Sequence, residues 1–163
     1  MRIGLLSDTH GYLDPRLFEV FASCDEVWHA GDLGSLALAR SLAAFKPLRA
    51  VHGNIDTAQV RSGYPEDQRF VCEGMDVWMT HITGRPPRWV PRVQHLLRRT
   101  PPGLLVGGHT HMLQVARTGT PAHWYLNPGA AGRHGIHRVR TALRFTIQQG
   151  RLSQMEVVEL GPR

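Results

Sequence analysis

Short apolar runs alternate with amphipathic segments through the first third of the chain. Apolar runs bounded by polar or turn residues, a pattern typical of buried strands, occur at residues 2–7, 25–30 and 47–53. Between them, apolar side chains recur at helical spacing over residues 15–23 and 35–45. The order strand, helix, strand, helix, strand predicts βαβ units and a parallel sheet.

The second half of the chain is dominated by predicted strands. A hairpin is predicted over residues 68–81, with its turn at Glu73 and Gly74, and a helix is predicted over residues 88–99. Further strands are predicted at residues 103–108, 113–118, 123–127, 142–150 and 151–160. The whole pattern predicts an α/β fold in which two sheets, at least one of them mixed, pack together between helices. The length of the chain fits a single domain over residues 1–163.

A short polar cluster follows directly after five of the predicted strands. The clusters supply carboxylate, amide and imidazole side chains: Asp8, His10, Asp32, Asn54, His81, His109 and His111. Because the carboxyl ends of parallel strands line one edge of a sheet, where ligands bind, we expect the clusters to converge in space.

These residue types are ligands for metal ions. Oxygen and imidazole donors suit Mn, Fe, Zn, Co or Ni, and the absence of thiolate argues against a structural zinc site. Seven ligands are too many for one tetrahedral ion but fit two ions that share a bridging carboxylate. Two ions roughly 3.5–4 Å apart hold a phosphoryl group and turn a bridging water into hydroxide. The sequence therefore predicts hydrolysis without a covalent enzyme intermediate.

Each cluster taken alone also has an ordinary structural interpretation. Asp8 is a candidate helix cap, the glycine-containing clusters around Asp32 and Asn54 suit turns, and a lone His81 suits a hydrogen-bonded core residue. Such interpretations explain five polar clusters on successive strands poorly, so their joint occurrence favours the metal site.

The formal net charge of +6 favours anionic ligands, with phosphate esters first among them. Nineteen residues are Lys or Arg, and Lys46 is the only lysine. Several arginines lie within residues 85–99, where the solvated face of a helix is favoured over a phosphate-binding patch. The aromatic residues are scattered rather than interleaved with the basic ones, so nucleic acid is not the favoured partner.

The cysteines and the hydropathy pattern bear on location. Cys24 and Cys72 stand alone in the sequence, which indicates reduced thiols and a cytoplasmic protein. The chain starts with a strand-like segment rather than a signal peptide, and no run of about 18 apolar residues occurs. Neither secretion nor a membrane-spanning segment is expected.

The ordered motifs D-x-H, G-D, G-N, a lone histidine and G-H-x-H resemble those of the calcineurin-like metallophosphoesterases. The following segment "YLNPGAAG" is similar to that of the small YfcE-like phosphodiesterases, and the resemblance runs over residues 8–132. It implies the αββα family fold, a mixed two-sheet sandwich flanked by helices. It also implies a metal-dependent phosphodiesterase whose substrate is a phosphate-ester small molecule or a nucleotide.

The resemblance further implies a role for each residue of the motifs. The expected ligand sets are Asp8, His10 and His111 for one metal and Asn54, His81 and His109 for the other, with Asp32 bridging them. Hydroxide between the metals is expected to attack phosphorus in line, while Asn54 stabilises charge on the phosphoryl oxygens. The expected cofactors are two divalent transition-metal ions, with Mn placed first and Ni, Co, Fe and Zn as alternatives.

Two positions depart from the family pattern. Larger members carry a histidine after G-N that aids the transition state, whereas this chain has Ile55, which cannot donate a hydrogen bond. This departure predicts a preference for esters with good leaving groups, or else a separate substrate-specific acid. The neighbouring Asp56 is expected to cap a helix.

The second departure is Thr83, which stands where small relatives usually have a second histidine after the lone one. The replacement of this histidine is expected to affect substrate contacts rather than metal binding. His134 and His137 either supply substitute contacts from a nearby loop or are simply surface histidines.

A non-catalytic function is the alternative. A retromer subunit resembles this fold and uses it chiefly to bind other proteins, so a protein-interaction scaffold is the second hypothesis. A change from catalysis to protein binding is commonly accompanied by loss of metal ligands. All seven presumed ligands are present here, which favours the enzyme hypothesis.

Overall fold

The predicted alternation of strands and helices is present in the first third of the chain. The computed structural model describes residues 1–163. Its first elements are β1 (Arg2–Leu6), α1 (Arg16–Val20), β2 (Glu26–His29), α2 (Leu36–Phe45) and β3 (Leu48–Ala50). The three strands are parallel, as predicted, with β2 between β1 and β3.

The longest helix of this part, α2, has a clear start signal. Ser35 caps it, because its hydroxyl oxygen accepts a hydrogen bond from the Leu38 backbone N–H at 3.2 Å. Leu38, Ala39 and Leu42 form its buried face, so the helix packs against the sheet along one stripe.

The rest of the chain is mostly strands, as predicted. In chain order its elements are α3 (Ala58–Gly63), β4 (Asp67–Cys72), β5 (Met75–Thr80), β6 (Gly84–Arg85), β7 (Arg88–Trp89), α4 (Pro91–Arg99), β8 (Leu104–Val106), β9 (Leu113–Thr118), β10 (His123–Pro128), β11 (Val139–Gln148) and β12 (Arg151–Pro162). The hairpin turn between β4 and β5 lies at Glu73 and Gly74, which both have positive φ.

Two five-stranded sheets form the centre of the molecule. The first has the strand order β12-β11-β1-β2-β3 and the second has the order β4-β5-β8-β10-β9. Each is mixed. In the first sheet the parallel strands β1, β2 and β3 run to one edge, and antiparallel pairing with β11 and β12 extends the other side. In the second sheet the parallel strands β5, β8 and β10 form the middle, between antiparallel β4 and β9. The predicted mixed architecture is therefore confirmed in both sheets.

The inner core lies between the two sheets. Ile3 and Trp28 of the first sheet pack in one apolar cluster with Val77, Leu104 and Leu126 of the second. All five side chains are fully buried. Face-to-face packing of two sheets in this way makes a sandwich.

Helices cover both outer faces of the sandwich. On the first sheet, Leu17 of α1 and Leu42 of α2 pack with Leu6 of β1. On the second sheet, Val93 of α4 packs against Trp78 and Tyr125. The order helix, sheet, sheet, helix confirms the αββα sandwich.

Two local predictions need correction. The helix predicted over residues 88–99 begins only at Pro91, because Arg88 and Trp89 pair with Gly84 and Arg85 in a short hairpin. The helix α3, over Ala58–Gly63, was not predicted, since its six residues are too few to show a helical period.

Both cysteines are buried and free. No helix of the structure is both long enough and apolar enough to cross a bilayer.

Candidate metal centre

Five loops converge at one edge of the sandwich, each directly after a parallel strand. Asp8 and His10 follow β1, Asp32 follows β2, and Asn54 follows β3. His81 follows β5 of the second sheet, and His109 and His111 follow β8. Both sheets therefore present the carboxyl ends of their central parallel strands to the same place.

Six of the seven predicted ligands form two compact groups. In each group the three ligand atoms lie within 4.8 Å of one another. The groups are Asp8, His10, His111 and Asp32, His81, His109. The close approach of nitrogen and oxygen donors with no intervening side chain fits a metal ion in each group.

Asp32 lies between the groups. One of its oxygens, Oδ2, is 3.3 Å from His81 Nε2 in its own group and 3.6 Å from His10 Nε2 in the other. A carboxylate that contacts both groups has the position expected of a bridging ligand.

Several polar atoms of the site are buried and make no hydrogen bond. They are Asp8 Oδ1, His10 Nε2 and His81 Nε2. Burying a polar atom without a partner costs free energy, so such atoms in a native site call for an explanation. These three atoms all belong to the two ligand groups, and a metal ion would satisfy each of them.

The remaining polar atoms of these side chains are anchored. Asp8 Oδ2 accepts hydrogen bonds from the Ser7 hydroxyl at 2.6 Å and from the His109 backbone N–H at 3.1 Å. His81 Nδ1 donates to the Ala30 carbonyl at 2.7 Å, which leaves Nε2 facing the carboxylates. Such contacts fix the orientation of metal ligands in metalloproteins.

The backbone is strained at the same residues. Non-glycine residues with positive φ are uncommon, and those in this chain include Asp8, His10, Asp32, His109 and His111. Their φ angles lie between 48° and 65°, in the left-handed region. Strain of this kind clusters at functional sites, so it marks the five ligand-bearing residues independently of their chemistry.

Glycines allow the loops to approach one another. A Cβ on Gly53 would lie 2.0 Å from Asp32 Oδ1, and one on Gly108 would lie 2.1 Å from Ser7 Oγ. Neither distance is sterically allowed, so any side chain at these positions would displace the carboxylates.

Burial and charge set the protonation of the site. Burial lowers the pKa values of His10 and His109, which favours the neutral imidazole that binds metals. Burial also opposes ionisation of Asp32, yet the adjacent His81 imidazole lowers the pKa of that carboxyl below its usual value. The same pair raises the pKa of His81 in spite of its burial.

Asn54 is the seventh predicted ligand. It is exposed and lies with His81 on the wall of a cavity of about 210 Å³. The cavity therefore opens directly beside the second ligand group.

Asp56 does not cap a helix, which corrects the expectation from the sequence. The cap residue of α3 is Thr57, without a side-chain hydrogen bond. The buried Asp56 carboxylate instead accepts backbone N–H bonds from Leu33, Gly34 and Gly53. It thereby ties the loop that carries Asp32 to the loop that carries Asn54.

His29 also supports the site and was not singled out in the sequence. It is fully buried, and burial lowers its pKa to about 4. Its Nδ1 accepts from the Gly31 N–H, and its Nε2 lies 2.9 Å from the Thr9 hydroxyl. The ring thus holds the loops after β1 and β2 together, and no local sequence signal distinguishes it from an ordinary core histidine.

The two departures from the family pattern have different surroundings. Thr83 is buried and contacts the Tyr125 hydroxyl at 3.0 Å, so it belongs to the packing beneath the site. His134 and His137 lie against the first ligand group. The His134 ring centroid is 4.7 Å from that of His10, and the His137 centroid is 5.3 Å from that of His111.

The family predicted from the motifs is confirmed by comparison with known proteins. The calcineurin-like phosphoesterase superfamily domain matches residues 1–150. The chain therefore belongs to the calcineurin-like phosphoesterase superfamily. A probable metallophosphoesterase of Methanothermobacter thermautotrophicus is 28% identical over 116 residues, covering 68% of this chain and 67% of that protein.

Solved structures share the fold over nearly the whole chain. An archaeal phosphodiesterase superposes with a TM-score of 0.77 at 18% identity, covering 98% of this chain and 100% of that one. Vps29 of Entamoeba histolytica, crystallised with Zn²⁺, gives a TM-score of 0.73 at 19% identity, covering 98% and 99%. At these identities the likeness concerns the fold alone.

Proposed function

We propose that this protein is a metal-dependent phosphodiesterase with a dinuclear metal centre. The observation that carries the proposal is the pair of ligand groups linked by Asp32, whose oxygen lies 3.3 Å from one group's histidine and 3.6 Å from the other's. Membership in the phosphoesterase superfamily supports the reaction class.

The residues divide into two ligand sets in this proposal. Asp8, His10 and His111 hold one ion, Asn54, His81 and His109 hold the other, and Asp32 bridges them. When bound, the two ions would supply Lewis-acid chemistry, polarising the phosphoryl group and activating water for attack on phosphorus. Mn²⁺ is the first choice for both positions, with Ni²⁺, Co²⁺, Fe²⁺ and Zn²⁺ as alternatives.

The chain itself contributes orientation and charge. Ser7 and the His109 backbone hold the Asp8 carboxylate, and the Ala30 carbonyl holds the His81 ring. In this proposal the amide of Asn54, which lines the cavity, donates a hydrogen bond to a phosphoryl oxygen as negative charge develops. Asn54 and Asp32 are therefore the proposed catalytic residues among the ligands.

Hydrolysis of bis-p-nitrophenyl phosphate by chelator-stripped protein, with and without added Mn²⁺, tests this function. We expect turnover only with the metal, and we expect Asn54→Ala to lower it by about 10²-fold or more, because it removes both a ligand and a donor. Gln148→Ala is the matched control, since this exposed amide lies in the β11–β12 hairpin and makes no hydrogen bond. Equal rates for the two variants would contradict the assignment of Asn54.

A protein-binding scaffold is the second candidate, and the likeness to Vps29 is the observation that favours it. It predicts a folded protein with no turnover under Mn²⁺, Ni²⁺, Co²⁺ or Zn²⁺. The same assay therefore separates the two candidates.

A further inference from the structure

The cavity beside the second ligand group is lined by more residues than those of the candidate centre. Its wall contains Asn54 and His81 of the candidate centre, and also residues that take no part in it: His52, Gly53, Arg61, Glu66, Thr80 and Ile82. At about 210 Å³ the cavity has room for several water molecules or for a polar group of a ligand.

Arg61 places an unmatched positive charge on this wall. Its Nε donates to the Asp56 carbonyl at 2.8 Å, and its Nη2 donates to the Asn54 carbonyl at 2.9 Å. These acceptors are neutral, and Arg61 forms no ion pair with any carboxylate of the chain. Its Nη1 donates no hydrogen bond. The guanidinium of this exposed residue is thus anchored by two backbone carbonyls next to Asn54, with one nitrogen free.

Thr80 supplies a second free donor. Its side chain is buried in the cavity wall, and its hydroxyl oxygen accepts a hydrogen bond from Arg92 Nη2 at 2.8 Å. The hydroxyl donates to no acceptor in the protein, so its hydrogen is free for a ligand in the cavity.

Glu66 is the one carboxylate on the wall, and its side chain is 65% exposed to solvent. Its nearest cation is Arg92, whose Nη2 lies 3.6 Å from Glu66 Oε1 and whose Nη1 pairs with Asp67 at 2.6 Å. Arg61 is therefore the cationic side chain on the wall that has no carboxylate partner.

We propose that this cavity is a subsite for a second anionic group of the substrate, a phosphate, bound by Arg61 and the Thr80 hydroxyl. The inference rests on the proposed phosphodiesterase function, because it places the scissile phosphate at the metal centre and the second phosphate in the cavity next to it. Guanidinium groups suit phosphate because their N–H donors match its oxygens in geometry and charge. The substrate class is then a phosphodiester that carries a further phosphate, such as a dinucleotide with a terminal phosphate.

Binding of two nucleotides that differ by one phosphate tests the subsite. Isothermal titration of the Mn²⁺-loaded protein compares deoxythymidine 5′-monophosphate with deoxythymidine 3′,5′-bisphosphate. We expect the bisphosphate to bind about tenfold more tightly or better, as for a hydrogen bond to a charged group. Arg61→Gln is expected to abolish this preference, measured as the ratio of the two dissociation constants in the same variant.

Two further variants exclude trivial explanations. Arg151→Gln removes an exposed arginine that makes no ion pair, so it controls for the general attraction of a basic protein for anions. Thr80→Val removes the second donor without touching the charge, and we expect it to weaken bisphosphate binding selectively. If Arg61→Gln and Arg151→Gln reduce the preference for the bisphosphate to the same extent, the proposal is overturned.

The subsite and the phosphodiesterase function fail in different ways. Metal-dependent hydrolysis of bis-p-nitrophenyl phosphate without any preference for the bisphosphate would overturn the subsite and leave the function standing. If the protein prefers the bisphosphate in a way that depends on Arg61 but hydrolyses no bis-p-nitrophenyl phosphate, the anion subsite is supported and the phosphodiesterase function is overturned. Binding of neither nucleotide would overturn the subsite.

Discussion

At the scale of single residues, the candidate centre combines chemistry and backbone strain. Asp8, His10, Asp32, His109 and His111 all have positive φ, which costs free energy in non-glycine residues. The surrounding hydrogen bonds maintain that conformation, including the bond from the His109 N–H to Asp8 Oδ2. The backbone therefore helps to hold these side chains in the arrangement that the proposed metal centre requires.

Ile55 is one of the two positions at which this chain departs from the family pattern. Its side chain is 44% exposed, and its backbone N–H donates to Asp32 Oδ1 at 3.1 Å. A substitution of the side chain leaves that backbone hydrogen bond in place. The position can therefore be altered without removing the contact to the proposed bridging carboxylate.

Ile55→His is expected to speed hydrolysis of esters with poor leaving groups. A histidine there supplies the general acid that the isoleucine lacks, and general acid catalysis contributes about 10²-fold or more. We expect kcat/KM for the dinucleotide dTpdT to rise by up to about 10²-fold. We expect little change for bis-p-nitrophenyl phosphate, because its leaving group needs no proton. Chromatography of the products measures the first rate, and absorbance measures the second.

Ile82→His is the matched control for this gain. Ile82 follows His81, lies on the cavity wall and is 36% exposed, so the variant places an imidazole near the centre at another position. Similar gains in both variants, or no gain in Ile55→His, would contradict the role assigned to position 55.

At the scale of elements, a buried ion pair joins the start of α1 to the C-terminal hairpin. Asp14 Oδ2 lies 2.6 Å from Arg140 Nη1, and the two side chains are 3% and 5% exposed. Arg140 also donates to the carbonyls of Leu160 and Pro162. The contacts of Asp14 and Arg140 therefore connect β11 and β12 to the loop that follows the candidate ligands Asp8 and His10.

This anchor predicts a measurable pH dependence of stability. Although burial opposes ionisation, hydrogen bonds from Arg16 and Arg140 lower the pKa of Asp14 from 3.8 to about 2. The lowered pKa contributes about 2 kcal/mol to the free energy of unfolding. Because the pKa is lowered in the folded state, this contribution is complete above about pH 4 and is lost as pH falls toward 2.

Asp14→Asn is expected to lower the free energy of unfolding at pH 7 by about 3 kcal/mol, since it leaves the buried Arg140 without its counter-charge. Urea titrations from pH 7 to pH 3 measure the difference from wild type, which should begin to shrink below about pH 4. Glu159→Gln, an exposed carboxylate in no ion pair, is the control and should change stability by under about 0.5 kcal/mol. A loss no larger than the control's would show that the anchor is energetically neutral.

The elements also show what the sequence can predict. Most strands and α2 were predictable because each has a clear apolar period or a buried run. The short elements were not: α3 has six residues and β6 and β7 have two each, so no period can appear. Asp56 was misassigned for another reason, since its partners at Leu33 and Gly34 are brought near only by the fold.

At the scale of the whole molecule, the sandwich places the two sheets' parallel strands so that their carboxyl ends meet. Each ligand group draws on both sheets: Asp8 and His10 with His111, and Asp32 with His81 and His109. The candidate ligands were predictable because every motif follows a recognisable strand. Their grouping was predictable only through the family resemblance, since spacing in sequence does not say which loops meet across the sandwich.

The central claim is that two metal ions act together on a phosphodiester. The most direct measurement is a titration of Mn²⁺ into chelator-stripped protein while the hydrolysis of bis-p-nitrophenyl phosphate is followed. The account predicts that the rate rises with added metal and reaches its plateau near two equivalents of Mn²⁺ per chain. A plateau at one equivalent, or no turnover at any ratio from folded protein, would contradict it.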